Sequence, residues 1–281
     1  MADIDAIVND LDAERADLDD LVAGLDAHLW HAPTPAEGLT IADQVAHLNW
    51  TDELLMRAIS SPVAFVEEID GVLAPLHATE SINAGSRFVN AGSAERSKIP
   101  QSQLIAVWRR SAAELSSILR ALPNSTRIPW FAPRPLSVAA MAASRVMEVW
   151  AHGQDVFDAV ELTRQPTRRL MHVVRLGVRS RDFAYQLRGM DPPEEEFRVE
   201  LRAPGGETWS WGPADAPKRV EGSALDFALV TTQRLHRDDS DLVTWGDAPE
   251  EWLRIAQAYA GPVGQGRSRQ NPSTSVSVAD G

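Results

Sequence analysis

The chain reads as a mainly α protein, with a helical part over residues 1–190, a small α+β domain over 191–260 and a tail over 261–281. Three observations predict this. Apolar residues recur at helical spacing through four long stretches before residue 160. The texture changes near residue 190, where Phe197–Arg202 alternates at period two as a half-buried strand should. The last stretch is rich in Gly, Ser, Pro and Gln and has no pattern to bury, which predicts disorder.

The first helix covers 3–29, with Ile4, Ile7, Val8, Leu11, Leu18, Leu21, Val22, Leu25 and Leu29 on one face. His28 and His31 lie at its C-terminal end, where the helix dipole welcomes positive charge, and read as capping or solvated. A Pro/Gly-punctuated loop leads to Thr40, an N-cap with Asp43 three residues later as an Asp version of the capping box. The second helix then runs through Ile59, with His47 in its second turn. Pro62 closes it and opens a piece over 63–77, and His77 at the end of that piece receives no role. Residues 79–97 read as a loop with a short helix around 82–89. A third long helix lies between Pro100 and Pro123. A Pro-rich loop to Pro135 carries Trp130 and Phe131, which either wall a pocket or are ordinary packed aromatics. The fourth helix covers 137–160 and an Arg-studded fifth covers 167–189.

Beyond the linker at 191–196, a hairpin joins Phe197–Arg202 to Glu207–Trp211 through Gly205 and Gly206. Arg219–Glu221 is a third strand, Ser223 caps a helix, Leu242–Trp245 is a further strand, and Pro249–Tyr259 is a last helix. Strands followed by helices make an α+β unit.

Composition narrows the chemistry. The net charge is −13 and the pI near 5.0, which argues against a nucleic-acid backbone or an anionic membrane as partner. There is no Cys, so disulfides, a Cys zinc site and a Cys nucleophile are excluded, and any thiol comes from outside. The N-terminus lacks a basic and apolar leader and no apolar run reaches membrane-spanning length, so the expected location is cytoplasmic.

Glu148 and His152 are four apart, so they project from one helical face and can share a metal if other elements supply further ligands. Taken alone, the pair is as well explained as a surface Glu–His contact. However, Asp43 and His47 repeat the spacing on the second helix, and no other His has an acid four residues before it. Side by side, the two helices can bring His47 opposite Glu148 and His152. Asp155, three past His152, is placed to accept a hydrogen bond from the imidazole or to lie beside it. Asp43 reads first as a helix cap.

These stretches resemble the DinB-like proteins of the mycothiol-dependent maleylpyruvate isomerase type. The matching segments are Thr40-Ile-Ala-Asp-Gln-Val-Ala-His47 and Glu148-Val-Trp-Ala-His152-Gly-Gln-Asp155. Val220–Val230 with Leu242–Asp247 resembles the sterol-carrier-like second domain of that family. The resemblance spans about residues 3–260 in order. It implies a four-helix bundle followed by a small α+β domain. It also implies a metal, usually zinc, held by His47, Glu148 and His152 with water completing the shell; Asp155 and Asp43, by their spacing, are the residues expected behind these ligands. The family places an Arg of the second domain near its thiol cofactor, and Arg234 stands there, after Gln233 where Gly is usual. The implied activity is zinc-dependent: activation of mycothiol or a related thiol for transfer to, or isomerisation of, a small electrophile. Two alternatives use the same site: a zinc-water hydrolase or lyase, and a non-catalytic protein that binds metal and a small ligand. The partners expected are small molecules, with the oligomeric state open.

Overall fold

Apolar residues three and four apart wind four long helices in the computed structural model of the chain, which describes residues 3–73, 87–88, 90–131, 134–259 and 261–269. Five helices with defined bounds among the described residues before position 160 are, in chain order, α1 (Ile4–Ala23), α2 (Ile41–Ser60), α3 (Pro62–Leu73), α4 (Gln101–Ala121) and α5 (Val138–Ala159). α1 and α2 each pack against both α4 and α5, so the four long helices enclose one core. Leu11, Leu18, Leu48, Leu55, Trp108, Leu115 and Val149 are buried there. Side chains fix the starts of three of these helices. Asp3 accepts from the Asp5 amide, Thr40 and Asp43 form both arms of a capping box, and Ser137 accepts from the Ala140 amide.

One buried carboxylate ties the four helices together. Asp52 of α2 accepts from Arg15 of α1 at 2.7 Å and from Arg145 Nε of α5 at 3.1 Å. Arg15 also donates to the Ala112 carbonyl and Ser116 Oγ of α4, at 3.0 and 2.9 Å. All three charged side chains are buried.

The rest of the chain adds a small sheet and four shorter helices. A two-residue pair, β1 (Arg127–Ile128) with β2 (Leu136–Ser137), draws the Pro-rich loop back to the start of α5. Then come α6 (Leu170–Arg179), α7 (Arg181–Gln186), β3 (Arg198–Arg202), β4 (Thr208–Trp211), β5 (Arg219–Ser223), α8 (Ala224–Thr231), β6 (Val243–Trp245) and α9 (Asp247–Ile255). The strand order is β4-β3-β5-β6, with β3 and β5 parallel and the other pairs antiparallel. The fold is thus mainly helical with a small sheet. A second core gathers Val173, Val174, Val199, Leu201, Phe227 and Trp252, and it takes in Met147, Trp150 and Ala151 from α5. Among the described residues no helix is long and apolar enough to cross a membrane.

Several expected boundaries move. The first helix stops at Ala23 because Gly24 caps it, its amide turning back to the Leu21 carbonyl. The expected helix over 167–189 is two: Ser180 turns its hydroxyl back onto the Gly177 carbonyl and ends α6. The last helix starts at Asp247, with Pro249 in its first turn, and stops at Ile255. Ala256 there turns extended, and the Ala258 amide goes to the Thr231 carbonyl at 2.8 Å. Residues 261–269 return to α5, where Arg267 bonds Asp155 and Asp158 at 2.8 and 3.0 Å. His77, most of the short helix expected over 82–89 and the end of the tail lie outside the described residues.

Asp52→Asn removes the one carboxylate that two buried guanidiniums share, and should cost about 3–5 kcal/mol of stability in urea unfolding. A loss under about 1 kcal/mol would show that the carboxylate does not hold the helices.

Candidate metal centre

Along the seam between α2 and α5 the partners step in opposite order: Gln44 meets His152, His47 meets Glu148, and Asp52 meets Arg145. The two helices are therefore antiparallel. The capping box sets the start of α2, so His47 falls in its second turn on the face towards α5. Glu148 and His152, one turn apart on α5, face it.

The three side chains converge. His47 Nε2 lies 3.7 Å and His152 Nε2 3.4 Å from the same oxygen, Glu148 Oε2. The imidazoles stack with centroids 4.2 Å apart. One donor atom from each residue falls within 4.8 Å of the others. Their side chains keep 18%, 14% and 23% of their surface, so the cluster opens to solvent on one side.

A chain of hydrogen bonds sets the His152 tautomer. The Thr34 hydroxyl donates to the Leu39 carbonyl at 2.8 Å, so it accepts from Gln44 Nε2 at 3.0 Å. Gln44 then has only its Oε1 to offer, and this takes the proton of His152 Nδ1 at 2.5 Å. The lone pair of His152 is left on Nε2, aimed at Glu148. A hydrogen-bonded far nitrogen is how metal-ligating imidazoles are held.

The charge states suit a cation. Burial, with His152 beside it, pushes the His47 pKa down to about 4, so its imidazole is neutral at pH 7. Burial alone would raise Glu148, but the two imidazoles and Arg145 hold it well below the usual carboxylate range. The His152 lone pair, the neutral His47 ring and an anionic oxygen therefore face one another. The N···O separations are too long for good hydrogen bonds. They match the edge of a tetrahedron with metal–ligand bonds of about 2.1 Å, which is roughly 3.4 Å. The donor set fits a divalent metal with two His and one carboxylate.

The other residues singled out from the sequence lie as follows. Asp43 accepts from the Thr40 amide at 2.9 Å and from its hydroxyl at 2.6 Å, and so works as a cap. Asp155 is buried and pairs with Arg234 at 2.7 Å and Arg267 at 2.8 Å; of the two roles its spacing allowed, the hydrogen bond to His152 goes to Gln44. Arg234 also donates to the Thr232 carbonyl, while its buried Nε has no partner among the described residues. Trp130 stacks on Phe65 of α3 with centroids 5.8 Å apart, and Phe131 meets both rings edge-on. Sequence reasoning missed Gln44. Its one signal was its place one turn before His47, on the same face.

Comparison with known proteins adds three findings. Residues 11–157 match the family described as the mycothiol maleylpyruvate isomerase N-terminal domain, and residues 193–244 match the one described as wyosine base formation. Uncharacterized proteins from two strains of Mycobacterium tuberculosis are 44% identical over 267 residues, covering 95% of this chain and 100% of theirs. The crystal structure of the mycothiol-dependent maleylpyruvate isomerase aligns over 86% of this chain and 92% of its own, at 14% identity and a TM-score of 0.56. A histidine-to-alanine mutant of that isomerase aligns equally, with a TM-score of 0.57. At this identity the likeness is one of fold.

Purified protein should carry close to one divalent metal per chain, and His152→Ala should lose most of it with the helical signal intact. Gln44→Leu, which frees the His152 tautomer, should weaken metal binding about 10–100-fold. Asp43→Asn should leave metal content unchanged. Full retention in both His47→Ala and His152→Ala would remove the site. The metal-free protein should also be pH-sensitive. Between pH 6.5 and about 4 the unfolded chain protonates His47 while the native state does not, so stability falls as pH drops through that window. His47→Gln should flatten that slope in urea midpoints measured across the window.

Proposed function

Because the chain belongs to the mycothiol maleylpyruvate isomerase N-terminal domain family, we propose that it is a metal-dependent enzyme that activates a low-molecular-weight thiol. The thiol is of the mycothiol type, and the reaction is its transfer to, or its use in isomerising, a small electrophile. The observation that carries this reading is the convergence of His47, His152 and Glu148 on one point open to solvent. Three protein ligands with an exchangeable position form the catalytic pattern rather than the structural one, and zinc is the metal we propose. Bound there, zinc would lower the pKa of a thiol as it does that of water, and so supply a nucleophile near neutral pH.

The chain's own residues do the positioning. Gln44 holds the His152 ring so that Nε2 points to the centre. Glu148 contributes the one negative charge, which the two imidazoles, with Arg145 pinned by Asp52 behind them, hold ionised. With no Cys in the chain, nothing intramolecular competes with an external thiol. Arg234 is our choice to face the thiol, because Asp155 fixes its guanidinium and leaves Nε as a spare donor. We assign Trp130 and Phe131 to packing against α3 rather than to the substrate. In the same reading, residues 1–190 are a DinB-like four-helix bundle with an added helical stretch, and 191–260 a sterol-carrier-like domain. We take no nucleic-acid partner from the match over 193–244, since that stretch is itself acidic.

Cobalt substitution tests the role of the metal. A sulfur ligand gives a strong near-ultraviolet charge-transfer band, so mycothiol should produce one, more strongly as pH rises towards its thiol pKa, and glutathione and cysteine rank against it. If no thiol perturbs the cobalt spectrum at millimolar concentration, the thiol reading fails and a zinc-water hydrolase replaces it.

A further inference from the structure

A cleft of about 550 Å³ lies between α6 and β4, on the second core rather than at the metal centre. β4 is an edge strand. Its turn sets which of its backbone groups are free. The Ala203 amide donates to the Glu207 carbonyl at 2.8 Å, and the register pairs Leu201 with Trp209 and Val199 with Trp211. Hydrogen-bonded pairs alternate along an antiparallel ladder, so these three pairs are the bonded ones. The amides and carbonyls of Thr208 and Ser210 therefore point away from β3, to the open edge.

The opposite wall is cationic. Arg175 and Arg179, one turn apart on α6, line the cleft and are exposed. Neighbouring arginines are engaged: Arg168 by Glu207, Arg169 by Glu14 and Asp17, and Arg181 by Asp182. Arg175 and Arg179 have no partner among the described residues. In a chain of net charge −13, two free guanidiniums side by side are out of pattern. The floor between the walls is apolar, with Met171 and Trp209 half-buried or buried.

From these features we infer that the cleft binds an extended acidic peptide segment as an added strand on β4. Strand addition uses main-chain hydrogen bonds to an open edge and side-chain contacts for choice of sequence. The free groups of Thr208 and Ser210 supply the first. Arg175 and Arg179 supply the second, and the spacing fits. Residues four apart on a helix are separated by roughly 6 Å along its axis. Alternate residues of a strand are about 6.7 Å apart. Acidic side chains at alternate positions of the segment thus meet the two guanidiniums one for one, over the Met171 and Trp209 floor.

The test uses the full chain and a short fluorescein-labelled peptide alternating Glu and Thr, read by anisotropy. The peptide should bind, its Lys/Thr counterpart should not, and added salt should weaken it. Arg175→Glu with Arg179→Glu should weaken binding roughly tenfold or more, with the circular dichroism unchanged. A peptide N-methylated at alternate amides keeps its charge and loses its ladder donors, so it should bind no better than that variant allows. The inference is overturned by no binding at millimolar peptide, by equal binding of the N-methylated peptide, or by indifference to the two Arg substitutions. It is overturned equally if free glutarate displaces the peptide at the peptide's own concentration, which would make the cleft a small-anion site.

Discussion

The fold depends on one carboxylate. Asp52 has no access to water, and each of its oxygens faces a guanidinium from a different helix. Arg15 extends the contact to α4 through Ala112 and Ser116, so one residue of α2 reaches all three of its long neighbours. Apolar packing alone tolerates sliding of helices past one another; a buried charge with fixed partners does not, because any slip leaves an ion unpaired in a low dielectric. Two cations and one anion would leave a surplus positive charge inside the bundle. Glu148, one turn from Arg145, supplies the second anion. The structural network and the candidate metal site are thus one electrostatic chain running along the α2–α5 seam.

That seam accounts for the state in which the donors are held. Two imidazoles and a carboxylate at a closed interface would settle into ordinary hydrogen bonds. Here Gln44 takes one proton of His152 away from the cluster, and burial keeps His47 neutral. Hydrogen bonding and desolvation therefore act together to turn the His152 lone pair towards the Glu148 carboxylate and to keep His47 uncharged beside them. This is the polarity a cation needs, and it is set by groups that do not ligate.

The four long helices, the capping box at Thr40 and the two acid-x-x-x-His spacings were legible because each is a local pattern. Helical period, cap chemistry and turn residues are written within a few positions of one another. The repeated spacing allowed His47 to face Glu148 and His152, and the family resemblance implied that all three share a metal, since a spacing names a helix face and not its partner. Gln44 was hidden for a related reason: its role comes from Thr34, ten residues back across a loop, and from His152 on another helix. Spacing alone could not name the partners of Asp155, which come from residues 234 and 267. The break at Ser180 was missed because the Arg-rich helical pattern continues through it. What stops α6 there is a side chain returning to its own backbone, just past Gly177, which lies so close to Thr231 and Phe227 of α8 that a Cβ would clash. The parallel pairing of β3 with β5 is likewise a matter of tertiary order that alternation cannot express.

α5 has no solvent-facing side to spare along much of its length. Val146, Val149 and Val156 belong to the first core, and Met147, Trp150 and Ala151 to the second. Glu148 and His152 occupy the narrow strip between. A chain cut after this helix would present Trp150 and Met147 to water beside the very residues that meet the metal. The stretch that reads as a separate unit by composition therefore acts as the other half of a vice on the donor helix. Wear in either jaw, such as a smaller residue at Trp252 or at Leu48, would be felt as play in the donor positions, even though neither residue lies among the three donors.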